Sequence, residues 1–320
     1  MNYNKNSNPK LGQGKLGQGK LGLGKLGLGK LGQGKLGQGK LGFSILELSI
    51  ALIIISILIM AVAKGNHILK RSRIVSAQSL TKSSPVLRMS NLVVWYETTM
   101  DSSFSEADIA STNINNWYNL NPSIKTNNAT AGVAPIYTKN SINNLPSLLF
   151  NGSTSYLTFD GTSIINRDYT AIVVEQRLGS GSDRYFISSN PANSNQSLTL
   201  GYRTNTQITF AQGDNGYNIA IPGYQSPSPR IHIFRFSSSL GKNYYLNGSG
   251  PQNLVACCGS TPVPTQGLTD YPNAQIARYA TTNYYFGNIG EIIIFNKYIN
   301  DDEMNDIKLY LSKKWGITIT

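Results

Sequence analysis

Hydrophobic and polar positions divide this chain into three zones. From Phe43 to Ala63 run 21 residues with one charge among them, Glu47. As a helix that stretch is about 31 Å long, enough to cross the hydrocarbon core of a bilayer. Apolar, β-branched residues all round it, with no polar face, set it apart from the core helix of a globular domain. Residues 64–83 read as a weaker helical continuation. Ile68 and Val75 recur at a spacing of seven, Gly65 loosens the pattern, and Pro85 marks the end.

From about residue 90 the period changes to two. Leu198, Leu200 and Tyr202 alternate, as do Ile208 and Phe210, and residues 231–236 read as a strand. Asn247-Gly248 after Asn243-Tyr244-Tyr245-Leu246 predicts a hairpin turn, and Glu291 to Phe295 a buried strand. Many short strands at this spacing predict a mainly β fold, an antiparallel β-sandwich or jelly roll. A short helix closes the chain. Asn300 is its cap, and Asp301, Asp302 and Glu303 favour the positive N-terminal end. Met304, Ile307 and Leu311 form its apolar stripe, Lys313 and Lys314 lie in its last turn, and Gly316 ends it.

Before Phe43 the pattern is neither helical nor extended. Six copies of Lys-Leu-Gly-Gln/Leu-Gly fill positions 10–39, and Lys40-Leu41-Gly42 begins a seventh. A period of five gives no face, and one leucine per repeat builds no core, so residues 1–42 read as a disordered leader. The leader also explains the charge. The chain carries 28 Lys and Arg against 16 Asp and Glu, a net +12, but eight of those lysines precede Phe43. What is left is close to balanced, so no nucleic-acid partner is expected for the folded domain. The larger, acid-free basic flank lies before the apolar run, which predicts a cytoplasmic N-terminus.

Candidate chemistry is sparse. The two cysteines, Cys257 and Cys258, are adjacent, and the two histidines are His67 and His232. No zinc spacing exists, and the cysteines are either incidental small residues or a vicinal disulfide. No cofactor is expected, although oxygen ligands such as Asp183, Asp214 and Asn215 could join a calcium site. Glu175 and Glu291 are isolated on their strands, with no Glu-x-Asp-x-x-Glu run of the kind that pairs carboxylates in a glucanase cleft. His232 reads as an ordinary sheet residue rather than a triad base. The chain is therefore expected not to be an enzyme. Trp95, Trp117 and Trp315 read as core anchors, and abundant tyrosine, 18 residues, suits stacking on sugar rings.

Two resemblances add to this reading. Gly42-Phe43-Ser44-Ile45-Leu46-Glu47 followed by a long apolar helix resembles the cleavage and methylation signature of type IV prepilins and pseudopilins. That resemblance implies cutting after Gly42 by a prepilin peptidase and N-methylation of Phe43. It also implies that Glu47 pairs with the N-terminal amine of a neighbouring pilin-like subunit. A 42-residue repeat-bearing leader and a proline-free membrane helix depart from the family pattern. Further on, residues 92–96, 116–120, 146–152 and 156–159 come in order, then 290–296 and the helix ending in Lys314-Trp315-Gly316. This order resembles the concanavalin A-like, laminin-G-like lectin/glucanase domain. Together the resemblances divide the chain into a leader (1–42), a pilin-type helix (43–85) and a lectin-like domain (90–320). They imply an inner-membrane, filament-forming subunit with an adhesive or cargo-binding head, periplasmic or at the cell surface after assembly. The alternative is a membrane-anchored surface protein that binds or cleaves glycans and joins no filament.

Overall fold

The computed structural model describes residues 44–189, 193–223, 227–258 and 263–320. The repeat leader, with Gly42 and Phe43, lies outside the described residues. Residues up to Ile57 fall in one compact unit and Leu58–Thr320 in another. The first helix, α1 (Ile45–Lys82), crosses that boundary and ends, as predicted, just before Pro85. Its apolar run is exposed throughout, from Ile45 to Val62, and is long and apolar enough to cross a membrane.

The second unit is a β-sandwich. In chain order it begins with β1 (Leu92–Glu97), α2 (Glu106–Ser111), β2 (Asn116–Trp117), β3 (Ala129–Val133), β4 (Ile136–Ile142) and β5 (Leu145–Asn151). Next come β6 (Tyr156–Phe159), β7 (Tyr169–Arg177), β8 (Arg184–Ser188), β9 (Leu198–Thr204), β10 (Gln207–Gln212) and β11 (Asn215–Ala220). The remainder is β12 (Arg230–Ser237), β13 (Gly241–Leu246), β14 (Val255–Cys257), β15 (Ala274–Ile276), β16 (Arg278–Tyr279), β17 (Asn283–Tyr284), β18 (Phe286–Phe295) and α3 (Asp301–Trp315). One sheet runs β13-β12-β7-β18-β5-β4, with β1 also on β18; the other runs β14-β11-β10-β9-β8-β15-β6-β3-β2. All strand pairs are antiparallel, and β16 and β17 make a separate hairpin.

Period-two alternation sorts the side chains into layers. Leu198, Leu200, Tyr202, Ile208 and Phe210 of the nine-stranded sheet meet His232, Phe234, Ile292 and Ile294 of the seven-stranded one between the sheets. The opposite face of the seven-stranded sheet presents Trp95, Ile231, Ile233, Ile293 and Phe295 to a second core. Met304, Ile307, Leu311 and Trp315 of α3 and Ala77 of α1 close it. Asn300 caps α3 as expected, and Glu303 returns its side chain to the Asn300 N–H at 3.1 Å, completing a capping box. The Asn247-Gly248 turn forms, with both residues at positive φ, but it closes only the bridge Leu246–Ser249. The hairpin itself joins β12 to β13 through residues 238–240.

The second core contains the strongest electrostatic feature of the fold. In the β1–β18 ladder Glu97 stands directly opposite Glu291, and both are fully buried. Two carboxylates in that position repel, and each carries a large desolvation cost. Lys314 of α3 resolves both, donating to Glu97 at 2.7 Å and Glu291 at 2.8 Å. It lies in the last turn of α3 but is turned inward rather than to solvent. Glu291 also accepts from the indole N–H groups of Trp95 and Trp315 and from the Tyr310 hydroxyl, each at 2.8 Å. Glu97 accepts from Ser103 and from the backbone and hydroxyl of Thr99. Burial alone would raise the Glu97 pKa, but Lys314 and these hydrogen bonds hold it below its ordinary value. Burial opposes the charge on Lys314 too, and the two carboxylates outweigh it and raise that pKa. Trp315 covers the bulge in β18 at Gly290, where a Cβ would lie 2.4 Å from the indole ring.

The cluster's contribution to stability is present above the ordinary carboxylate value of 4.5 and is lost as pH falls through the lower folded value of Glu97. On the lysine side it is present below 10.5 and is lost only as pH rises through the higher folded value of Lys314. Replacing Lys314 with Met leaves the two carboxylates facing each other and is expected to cost about 3–5 kcal/mol at neutral pH. Thermal unfolding of the full-length protein in neutral detergent checks this, and an unchanged midpoint contradicts it.

Candidate functional site

Of the residues singled out in the sequence, Gly42 and Phe43 lie outside the described residues and Glu47 lies in the first turn of α1. There Ser44 and Glu47 bond each other reciprocally. The Ser44 N–H donates to Glu47 Oε2 at 2.9 Å, and the Glu47 N–H donates to Ser44 Oγ at 3.2 Å. This is a capping box, legible in the Ser-x-x-Glu spacing but not drawn from it. It gives Glu47 a local use that needs no second chain. Cys257 and Cys258 form a vicinal disulfide. The calcium candidates are engaged otherwise: Asp183 pairs with Arg203 and accepts from the Tyr185 hydroxyl, and the Asn215 amide donates to Asn195 and the Val263 carbonyl. Among the described residues no group of three or more His, Cys, Asp and Glu is arranged to hold a metal ion.

Glu175 and His232 meet inside the sandwich, both wholly buried. His232 Nε2 lies 2.9 Å from Glu175 Oε1, and Nδ1 lies 2.9 Å from the Tyr244 hydroxyl. A neutral imidazole satisfies both contacts, with Nε2–H donating to the carboxylate and Nδ1 accepting from Tyr244. Burial lowers the His232 pKa more than Glu175 raises it. Burial would raise Glu175, but the bonds from His232, Tyr285 and Tyr202 bring it below its ordinary value. With no exposed atom on either residue, this dyad braces the sheets from within.

Lys242 is a different case. It points from β13 toward the aromatic core, 5% exposed, and its amine has no hydrogen-bond partner among the described residues. Its Nζ lies 5.5–6.0 Å from the ring centres of Phe236, Tyr217 and Phe210. Their faces favour a cation, but desolvation prevails and lowers the pKa to about 7.

The outward face of the nine-stranded sheet carries a more accessible constellation. α3 and the end of α1 pack on the other sheet; on this face Thr199, Thr209 and Gln275 are buried, and the residues that reach solvent include those of β6. Along β6, Leu157 and Phe159 enter the core while Tyr156 and Thr158 point out, half-buried. The Tyr156 ring occupies the space above Gly132 where a Cβ would stand. The Arg278 guanidinium lies over that ring, 3.4 Å from its centre, with Nε donating to the buried Gln275 at 3.0 Å. Tyr284 flanks Tyr156 at 6.5 Å, and Tyr279 packs edge-on against Tyr185 at 5.1 Å. Sequence reading registered the tyrosine count but not this grouping, because β6, β16 and β17 are brought together only by the fold.

No protein-family model and no curated protein matches the chain. Solved structures do. One is domain 4 of AbnA, a GH43 extracellular arabinanase from Geobacillus stearothermophilus, in complex with arabinotriose. It has 11% identity and a TM-score of 0.48, over 68% of this chain and 98% of that one. A Trypanosoma rangeli sialidase matches at 15% identity and a TM-score of 0.46, over 71% of this chain and 33% of the sialidase. A structure concerning cell entry of botulinum neurotoxin type C, dependent upon interaction with two ganglioside molecules, matches at 13% identity and a TM-score of 0.42. It covers 65% of this chain and 53% of that one. These findings overturn the expectation that the chain is not an enzyme. A domain of an arabinanase and sialidase chains are among the structures it is similar to.

The caged amine of Lys242 makes a pH-dependent prediction. Its folded pKa, about 7, lies below its ordinary 10.5, so the unfolded chain binds the extra proton between those values and wild-type stability rises with pH across that window. Lys242→Met is therefore expected to stabilise the protein by roughly 2–4 kcal/mol at pH 7 and below. The gain should shrink toward pH 10.5. Denaturant unfolding at a series of pH values measures it, and a gain independent of pH contradicts the account.

Proposed function

We propose that this is a membrane-anchored surface protein whose β-sandwich head binds glycans. The reading is carried by the outward face of the nine-stranded sheet, where Tyr156, Arg278 and Tyr284 group beside Thr158 and Asn283. Aromatic and guanidinium planes stack on the C–H faces of sugar rings, and hydroxyl and amide groups exchange hydrogen bonds with sugar hydroxyls. Gln275 and Gly132 hold that grouping in place from beneath. The apolar run of α1 is the anchor, with its basic leader on the cytoplasmic side.

A second reading, pilin-type processing and assembly, is favoured by the Gly42-Phe43 junction with Glu47 four residues on. In it a prepilin peptidase removes the leader, Phe43 becomes a methylated N-terminus, and Glu47 meets the amine of a neighbouring subunit. A carboxylate at bilayer depth costs about 2.5–3.5 kcal/mol, so a partner for it is worth seeking.

Glycan-array binding by the full-length protein in detergent tests the first reading. Wild type is expected to retain a defined set of glycans, and Tyr284→Ala to weaken binding by about tenfold. Following the release of reducing ends in the same samples separates binding from cleavage. Equal binding by the variant, or no retained glycan, contradicts the reading. For the second, Glu47→Gln keeps a capping acceptor but removes the charge. Sequencing of the mature wild-type protein is expected to start at N-methyl-Phe43, and the variant is expected to insert normally but not to co-assemble. An intact leader, or normal assembly of the variant, rules the pilin reading out.

A further inference from the structure

Beyond the end of the apolar run, α1 and the sandwich enclose a cleft of about 1020 Å³. Its floor is apolar, formed by Ile74 of α1, Phe104 and Tyr137. Its walls are basic, with Lys70 and Arg71 on α1 and Lys139 on β4 opposite, all three exposed. None of the ion pairs among the described residues involves these cations. Two acids also line the cleft. The Gln78 amide donates to Asp101 at 3.2 Å, and Glu106 sits in the first turn of α2. His67 lines the cleft as well.

We infer that this cleft binds an anionic phospholipid, its phosphate on Lys70, Arg71 and Lys139 and its upper acyl carbons on the apolar floor. Three observations converge on an amphiphilic anion. The cations are unpaired and face one another across the cleft. The floor is apolar where a free inorganic anion needs only polar lining. Lys70 also follows Ala63 by seven residues, about 10 Å of helix, which is headgroup depth for a modestly tilted span. The cleft shares no lining residue with Tyr156, Arg278 and Tyr284, so it is separate from the proposed glycan face. The inference rests on the reading of α1 as a membrane anchor. Bound there, a lipid would join the head to the bilayer surface on the side where the helix emerges.

The test uses the full-length protein purified in neutral detergent. It is mixed with equal amounts of phosphatidylglycerol and phosphatidylcholine of matched chains, and the retained lipid is counted by native mass spectrometry. Wild type is expected to retain phosphatidylglycerol preferentially. Each cation near a lipid phosphate is worth roughly fivefold, so changing Lys70, Arg71 and Lys139 together to Ala should cut that retention by on the order of 100-fold. All three are exposed, and matching melting curves show that the variant is folded. Equal retention of both lipids by wild type overturns the inference, as does displacement by equimolar inorganic phosphate, which would make this a free-anion site. Cross-linking of Val75→Cys to a second copy would overturn it in favour of a self-association groove. Fractionation of cells expressing the same chain separates the two levels of the account. A soluble chain overturns the anchor and the lipid site with it, whereas a membrane-bound chain without lipid preference overturns the lipid site alone.

Discussion

The fold turns on one amine. Glu97 and Glu291 stand opposite each other on adjacent strands, both buried, and neither could stay charged there alone. Lys314 reaches both from α3 and also donates to Tyr310, so all three of its N–H bonds are used. That contact ties the C-terminal helix to the first and last strands of the sandwich. The same helix meets the stem, where the Tyr310 and Thr81 hydroxyls lie 3.4 Å apart. One triad therefore joins residues far apart in sequence.

The two faces of the molecule follow from that arrangement. With α3 and the end of α1 occupying one side, the accessible tyrosine grouping lies on the other, at β6 and the β16–β17 hairpin. There alternation along β6 turns Tyr156 and Thr158 outward, and the hairpin adds Arg278 and Tyr284. The carboxylate inside the sandwich is paired: Glu175 is closed off by His232, Tyr202 and Tyr285. The same rule, that a buried charge needs a partner, explains why Lys242 is displaced so far from its ordinary pKa.

Much of the architecture was legible because it rests on local signals. The membrane-length helix, the alternating strands at Leu198–Tyr202 and Ile231–Phe236, and the Asn300 cap of α3 each follow from residues a few positions apart. Non-local pairing was not legible. Lys314 reads only as a last-turn lysine, because nothing near it in sequence shows that Glu97, 217 residues away, faces it. The Asn247-Gly248 turn formed but joined no hairpin, since the partner of β13 had already been supplied by β12. The Ser44–Glu47 capping box was within reach of sequence reading. It was passed over because a carboxylate in an apolar run draws attention to distant partners first. The Tyr156–Arg278–Tyr284 grouping could not have been assembled from spacing, since its members come from three strands and Gly132 beneath it from a fourth.

The central claim is that the outward face of the nine-stranded sheet recognises sugars. Hydrogen-exchange mass spectrometry of the full-length protein, with and without a glycan it retains, tests this most directly. The account predicts slowed exchange at residues 156–159 and 275–284, with the second core around α3 unchanged. Protection confined to other surfaces, or none at these segments, would contradict it.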